Sequence, residues 1–326
     1  YGNTYDSAVQ SGPGCSGECW AGHFCPLGTV EPRPCGTGKY CQGYDLTGRL
    51  GATAALPCEE GTYSNTTQLS SAADCQGCPE GHACSTGSTA PVRCSPGTYA
   101  PAPGRLPTCK VCPAGEFQDA SGATACVLCG GGSYCPVASS AELPCPAGTY
   151  SSNTGLTKPS ECTDCPEGSS CSTASQDHTP CAPGTVAPNA KSPRCTDCAA
   201  GKYQDQPGKR ECKVCTNGYY CMQGAAAALP CPGGTHVPLN ESIVMSGTAQ
   251  CIICPKGTSC SVGSAEPAAC LPGSYSATEK AQSCNLCPEG KFTSTAGNTA
   301  CETCTAGYLC VKGSSAPQPC SGGTHA

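Results

Sequence analysis

A chain of 326 residues with 36 cysteines, 42 glycines and 31 prolines carries cysteine at the density of a disulfide scaffold, not of a conventional globular domain. Leu, Val, Ile and Phe together number 32, about half of what a single core for this length requires, so a large enzyme-like domain is excluded and many small covalently held units are expected. Only 12% of residues are charged and the net charge is -6; there is no basic stripe for nucleic acid, and the longest apolar run, 225–229, is far short of the ~20 residues of a membrane span.

Along the chain the cysteines fall into order. The spacing C-x2-C-x5-C-x9-C recurs six times, beginning at Cys75, Cys126, Cys162, Cys212, Cys251 and Cys301, and Cys15, Cys19, Cys25 and Cys35 form a variant with one extra residue in the first gap. Alternate blocks are separated by an additional cysteine pair, which defines a ten-cysteine super-repeat. The organisation expected is a shortened cysteine-rich unit over 1–74, ten-cysteine repeats over 75–161 and 162–250, and a ten-cysteine repeat with an incomplete last loop over 251–326.

A second pattern bears on pairing. Every second cysteine from Cys19 to Cys320 has glycine three positions later, as in Cys145-Pro-Ala-Gly148. Glycine there supplies the positive φ of a tight turn, so each such cysteine is read as opening a loop that the next cysteine closes. The short loops are Cys19–Cys25, Cys35–Cys41, Cys78–Cys84, Cys129–Cys135, Cys165–Cys171, Cys215–Cys221, Cys254–Cys260 and Cys304–Cys310. The long ones are Cys58–Cys75, Cys94–Cys109, Cys112–Cys126, Cys145–Cys162, Cys181–Cys195, Cys198–Cys212, Cys231–Cys251, Cys270–Cys284 and Cys287–Cys301. An interlocked first-to-third, second-to-fourth connectivity stays open at this point.

In the long loops an aromatic commonly follows two residues after the glycine, as at Tyr63, Tyr99, Phe117, Tyr150, Tyr203, Tyr275 and Phe292. Such a ring is expected to lie over the disulfide and give each unit a miniature core. The remaining segments are rich in Ser, Thr, Ala, Gly and Pro, with no helical periodicity. The fold class predicted is small disulfide-rich modules in tandem: an elongated rod of short β-hairpins and turns, with almost no helix and no large hydrophobic core.

Segments such as CPAGTYSSNTGLTKPSECTDCPEG (Cys145–Gly168) and CPEGKFTSTAGNTACETCTAG (Cys287–Gly307) resemble ephrin-receptor-like cysteine-rich repeats, relatives of tumour-necrosis-factor-receptor modules and, broadly, of EGF-like domains. The resemblance covers nearly the whole chain from Cys15 on. It implies an extracellular, non-enzymatic disulfide ladder of the kind found in large surface proteins. It transfers no ligand and no binding residue.

The recurring C-x2-C pairs also invite a zinc reading, but about nine thiolate sites would then lack compensating charge, and the C-x2-G-x2-C loops would have no role. A thioredoxin-like site needs one such pair opening a helix after a strand, and no such context occurs. The five histidines, His23, His82, His178, His236 and His325, read as variable loop positions, and no calcium loop is present. No catalytic residue, no metal site and no cofactor is expected.

Two features concern partners. Asn65-Thr-Thr and Asn240-Glu-Ser are N-linked acceptor sequons in long loops, so covalent glycans are expected at Asn65 and Asn240. Six residues follow Cys320 and fourteen precede Cys15, so Ala326 joined to Tyr1 would leave a gap of 20 residues, against 19 between Cys231 and Cys251. Both stretches carry Gly-Gly-Thr-His starting two residues after the cysteine. Cys15 and Cys320 are therefore read as sites of intersubunit or chain-continuation bridging. The function expected is an extracellular or cell-surface structural protein, a subunit or segment of a glycosylated filament continued head to tail. The alternative is the stalk or ectodomain of a receptor or adhesin. Neither nucleic acid nor direct membrane insertion is expected.

Overall fold

A cysteine with glycine three residues on makes one tight turn, and each turn feeds a strand too short to bury a face of its own. The computed structural model describes residues 19–43, 52–102, 105–237 and 246–322. Over these the regular structure is two-residue strands in two-stranded antiparallel hairpins, with single 3₁₀ turns at Ala72–Asp74, Pro159–Glu161 and Thr248–Gln250 and no α-helix. This is the tandem hairpin architecture that the composition requires, with no large hydrophobic core.

We use "rung" for the segment from one glycine-marked cysteine to the next. The two residues after the glycine pair with the two residues that precede the next glycine-marked cysteine. His82–Ala83 thus pairs with Val92–Arg93, and Ser169–Ser170 with Thr179–Pro180. Each hairpin carries a rung's turn back beside the start of the following rung.

The chain packs as two units, one made of Tyr1–Pro146, Tyr150–Thr163 and Thr173–Asp177, the other of Ala147–Thr149, Asp164–Ser172 and His178–Ala326. In the first, the N–H of each glycine-marked cysteine donates to the glycine carbonyl of the rung before it: Cys58 to Gly38 and Cys94 to Gly81 at 2.9 Å, Cys145 to Gly132 at 2.8 Å. Rungs two apart also touch. A Cβ added at Gly81 would lie 2.1 Å from the carbonyl oxygen of Gly122, so only glycine fits where the second rung along closes over the turn.

The second unit repeats both contacts with its own residues. Cys181 donates to Gly168 at 2.9 Å, Cys304 to Gly290 at 2.8 Å and Cys320 to Gly307 at 3.1 Å. A Cβ at Gly168 would lie 2.2 Å from the Gly208 carbonyl oxygen. Repetition of one neighbour contact is the mark of a quasi-one-dimensional repeat.

Cysteine takes the place that aliphatic side chains hold in other folds. Cys58, Cys84, Cys112 and Cys145 of the first unit, and Cys165, Cys198, Cys231 and Cys287 of the second, are fully buried. Val111 and Leu128, and likewise Val214 and Leu286, are more than half exposed. A two-residue strand offers no continuous face, so the bridge at its root is the group most consistently enclosed.

Aromatic rings of three short rungs make a contact that the cysteine spacing did not suggest. Phe24 packs on Cys35 and Cys41, Tyr40 on Cys58 and Cys75, and Tyr220 beside Cys231 and Cys251, in each case the bridge of the following rung. The reason is the hairpin: the strand that bears the ring pairs beside the next rung's first cysteine. The miniature cores therefore lie between rungs and couple them.

Candidate functional site

Among the described residues seventeen disulfides join neighbours in sequence, from Cys19–Cys25 and Cys35–Cys41 to Cys287–Cys301 and Cys304–Cys310. Their Cα separations run from 5.6 to 6.3 Å, inside the range a bridge spans. The structure thus brings together the two members of every short and long loop named above. It leaves Cys320 as a free, half-exposed thiol among the described residues. Cys15 and Asn240 lie outside the described residues. Asn65 is exposed, one residue beyond the buried Ser64.

Three histidines stand near groups that could suggest chemistry. His236 stands at an aromatic position with Nδ1 3.8 Å from Cys254 Sγ, and His236, Cys254 and Cys260 lie close enough together to suggest a metal set. Both sulfurs are spent in the Cys254–Cys260 bridge, so no thiolate is available to a cation. His178 Nδ1 lies 3.2 Å from Ser169 Oγ, but Ser169 is buried within a two-residue hairpin, where no substrate carbonyl reaches it. His82 Nδ1 lies 2.9 Å from the Glu80 carbonyl oxygen, a local turn contact. Over the described residues the chain is a repeating architecture of cysteine-rich modules.

Two of the charged groups whose titration is perturbed, Asp74 and Glu161, are surface caps. Asp74 Oδ2 accepts from the Ser70 hydroxyl at 2.9 Å and from the Ser71 and Ser70 N–H groups at 2.8 and 3.0 Å. These bonds, the Ser70 hydroxyl first, hold its carboxyl below the usual range. Glu161 plays the same part 87 residues on, accepting from the N–H and hydroxyl of Thr157 at 2.7 and 2.8 Å, and it is lowered for that reason. At the third equivalent position Gln250 has a buried Oε1 with no hydrogen-bond partner among the described residues. Lys213 donates to Asp205 at 2.6 Å, lowering the carboxyl and raising the ammonium, and Lys213 also stands 5.8 Å from the Tyr203 ring centre.

Sequence reasoning missed a further set of positions, three residues after the turn glycine in the long loops. Ser64, Gln118, Ser151, Gln204, Ser276 and Thr293 are all buried there. Gln118 donates from Nε2 to the Ala125 carbonyl at 2.7 Å and accepts the Ala120 N–H at 2.9 Å. Gln204 makes the same pair of bonds to Glu211 and Gln206. The signal was present as a polar residue at a constant offset from glycine, but its polarity argued for solvent. In place, the amide satisfies backbone groups of a loop that has no strand partner for them.

What remains among the described residues is the unpaired Cys320. The bond that recurs at each rung, cysteine N–H to the preceding glycine, is made by Cys320 also, and its thiol stands where other rungs begin a bridge. No protein-family model matches the chain, and no curated protein matches it in sequence.

Proposed function

We propose that this chain is an extracellular structural protein, a subunit or segment of a glycosylated filament or cell-surface appendage built by head-to-tail continuation of ephrin-receptor-like cysteine-rich repeats. The observation that carries the reading is Cys320, which has the backbone bond of a rung's first cysteine and no disulfide partner among the described residues. Its natural complement is Cys15, the one remaining cysteine of the 36, supplied by a second copy. Seventeen bridges among the described residues suit an oxidising compartment, and the exposed sequon at Asn65 suits a sugar coat where charged residues are few.

Electron microscopy of purified material tests this. Long fibres of uniform repeat are expected, whereas discrete particles of fixed length would favour the stalk of a receptor or adhesin. Electrophoresis without reductant should show species above the 32.5 kDa of one chain that collapse when thiol is added. Intact mass should exceed that of the bare polypeptide and fall on enzymatic deglycosylation, with Asn65→Gln removing one increment.

A further inference from the structure

Inside each unit the residue nine positions after the first cysteine of a short rung makes two contacts. Its N–H donates to the first cysteine of the preceding rung, and its carbonyl oxygen rests on the turn glycine of the rung before that. Gly87 donates to Cys58 at 2.8 Å and its oxygen lies 2.3 Å from a Cβ position at Gly38; Gly263 does the same with Cys231, at 3.0 Å, and Gly218, at 2.2 Å. Gly313 repeats it with Cys287 and Gly273. Ala138 and Ala174 fill this seat in other rungs, so the residue that supplies the carbonyl need not be glycine. The residue that receives it is glycine each time.

Among the described residues the contact is unmade at one supplying seat, Gly28, and at two receiving turn glycines, Gly290 (φ +77°, nothing within 4 Å of its Cβ position) and Gly307. Gly28, nine after Cys19, has the left-handed backbone of the supplying seat at φ +79°, and its N–H has no partner among the described residues. Gly307 has the receiving backbone at φ +88°, with nothing within 4 Å of its Cβ position. Beside it Leu309 is 55% exposed, whereas Tyr40, Ala83 and Val186, at the same place in their rungs, are 7%, 6% and 7% exposed. The Cys320 carbonyl, which sits where Cys58 and Cys231 accept, also has no partner among the described residues.

We propose that Gly28 and Gly307 are the two halves of one joint. The Cys19–Cys25 rung of a second copy of this chain docks on the Cys304–Cys310 rung, seating the Gly28 carbonyl on Gly307 and giving the Gly28 N–H to the Cys320 carbonyl. The occupant is fixed by continuity with the interface already present between rungs: the spacing that puts Gly87 on Gly38 and Cys58 puts Gly28 on Gly307 and Cys320 once Cys320 and Cys15 share a rung. The two faces differ, so the contact is heterologous and propagates instead of closing a pair. The inference rests on the head-to-tail reading for its partner and adds to it the residues that touch.

The asymmetry of the seats gives the test. In the 326-residue chain Gly307→Ala places a methyl where the incoming oxygen sits, so the concentration needed for self-association, read by light scattering and sedimentation, should rise by about tenfold or more. Gly28→Ala should associate as the wild type does, because interior rungs carry alanine at that seat. Gly297→Ala, also left-handed at φ +82° with open space at its Cβ, controls for backbone strain and should associate normally. Leu309→Lys alters a side chain exposed in the single chain and should block association while leaving all seventeen bridges intact by peptide mapping. Normal assembly of both Gly307→Ala and Leu309→Lys would overturn the joint and leave the filament reading standing. A wild-type chain that stays single at every concentration would overturn both.

Discussion

Gly81 does two things at once, and only one of them is conformational. Its φ of +70° favours glycine, and the Gly122 carbonyl also occupies the space a Cβ would need. Gly297 shares the first property, at φ +82°, but nothing lies within 4 Å of its Cβ position. Gly297→Ala should therefore cost about 1 kcal/mol, the strain of a left-handed residue. Gly81→Ala adds a backbone clash that neither rung relieves without moving, and should cost about 3 kcal/mol or more. Local hydrogen exchange at the two sites measures the difference, and equal losses would reject the close approach as the cause. The glycine spacing was legible from the chain alone, as was its turn conformation. The close approach was not, because the atom that excludes Cβ belongs to a rung 41 residues away.

At the scale of the element, the three 3₁₀ turns show a cap that varies while the fold does not. Asp74 and Glu161 each accept N–H groups at the start of their turns, and Gln250 holds the same position without a partner for its oxygen among the described residues. Because both carboxyls are lowered in the folded chain, their stabilisation is complete above the unfolded carboxylate range and is lost as pH falls through the lower folded values. Thermal midpoints should be flat from neutral pH down to about pH 5 and then fall. Asp74→Asn and Glu161→Gln together should lower the plateau slightly and flatten the acid limb. An unchanged limb in the double variant would assign the acid sensitivity to other groups. A carboxylate just before a cysteine does not announce a cap from sequence, since the N–H and hydroxyl groups that donate to it face it only once the turn has closed.

At the scale of the molecule, stability is distributed over bridges instead of being pooled in one core. Each short loop is closed within six residues, as by Cys129–Cys135, and one such bridge contributes roughly 2–3 kcal/mol through the unfolded chain's entropy. Replacing both Cys129 and Cys135 with serine should raise exchange in that rung and in the neighbours that pack on it, while distant rungs keep their protection, as neighbour-limited coupling requires. Cooperative melting of the whole chain in that variant would contradict this. Full reduction should abolish the hairpins altogether, since the aliphatic residues that might collapse, such as Val111 and Val214, already face solvent in the folded chain.

The order of 36 cysteines and the glycine three residues after every second one determined the class of fold and its repeat. Both are covalent or single-residue backbone constraints, and such constraints act within a few residues of where they are written. The tertiary structure alone decided what lies between rungs. It set Tyr40 on the bridge of the next rung, buried Gln118 among loop carbonyls, and closed the Gly122 carbonyl over Gly81. Those contacts depend on how a two-residue hairpin carries one turn beside the next, and no local spacing encodes that rotation.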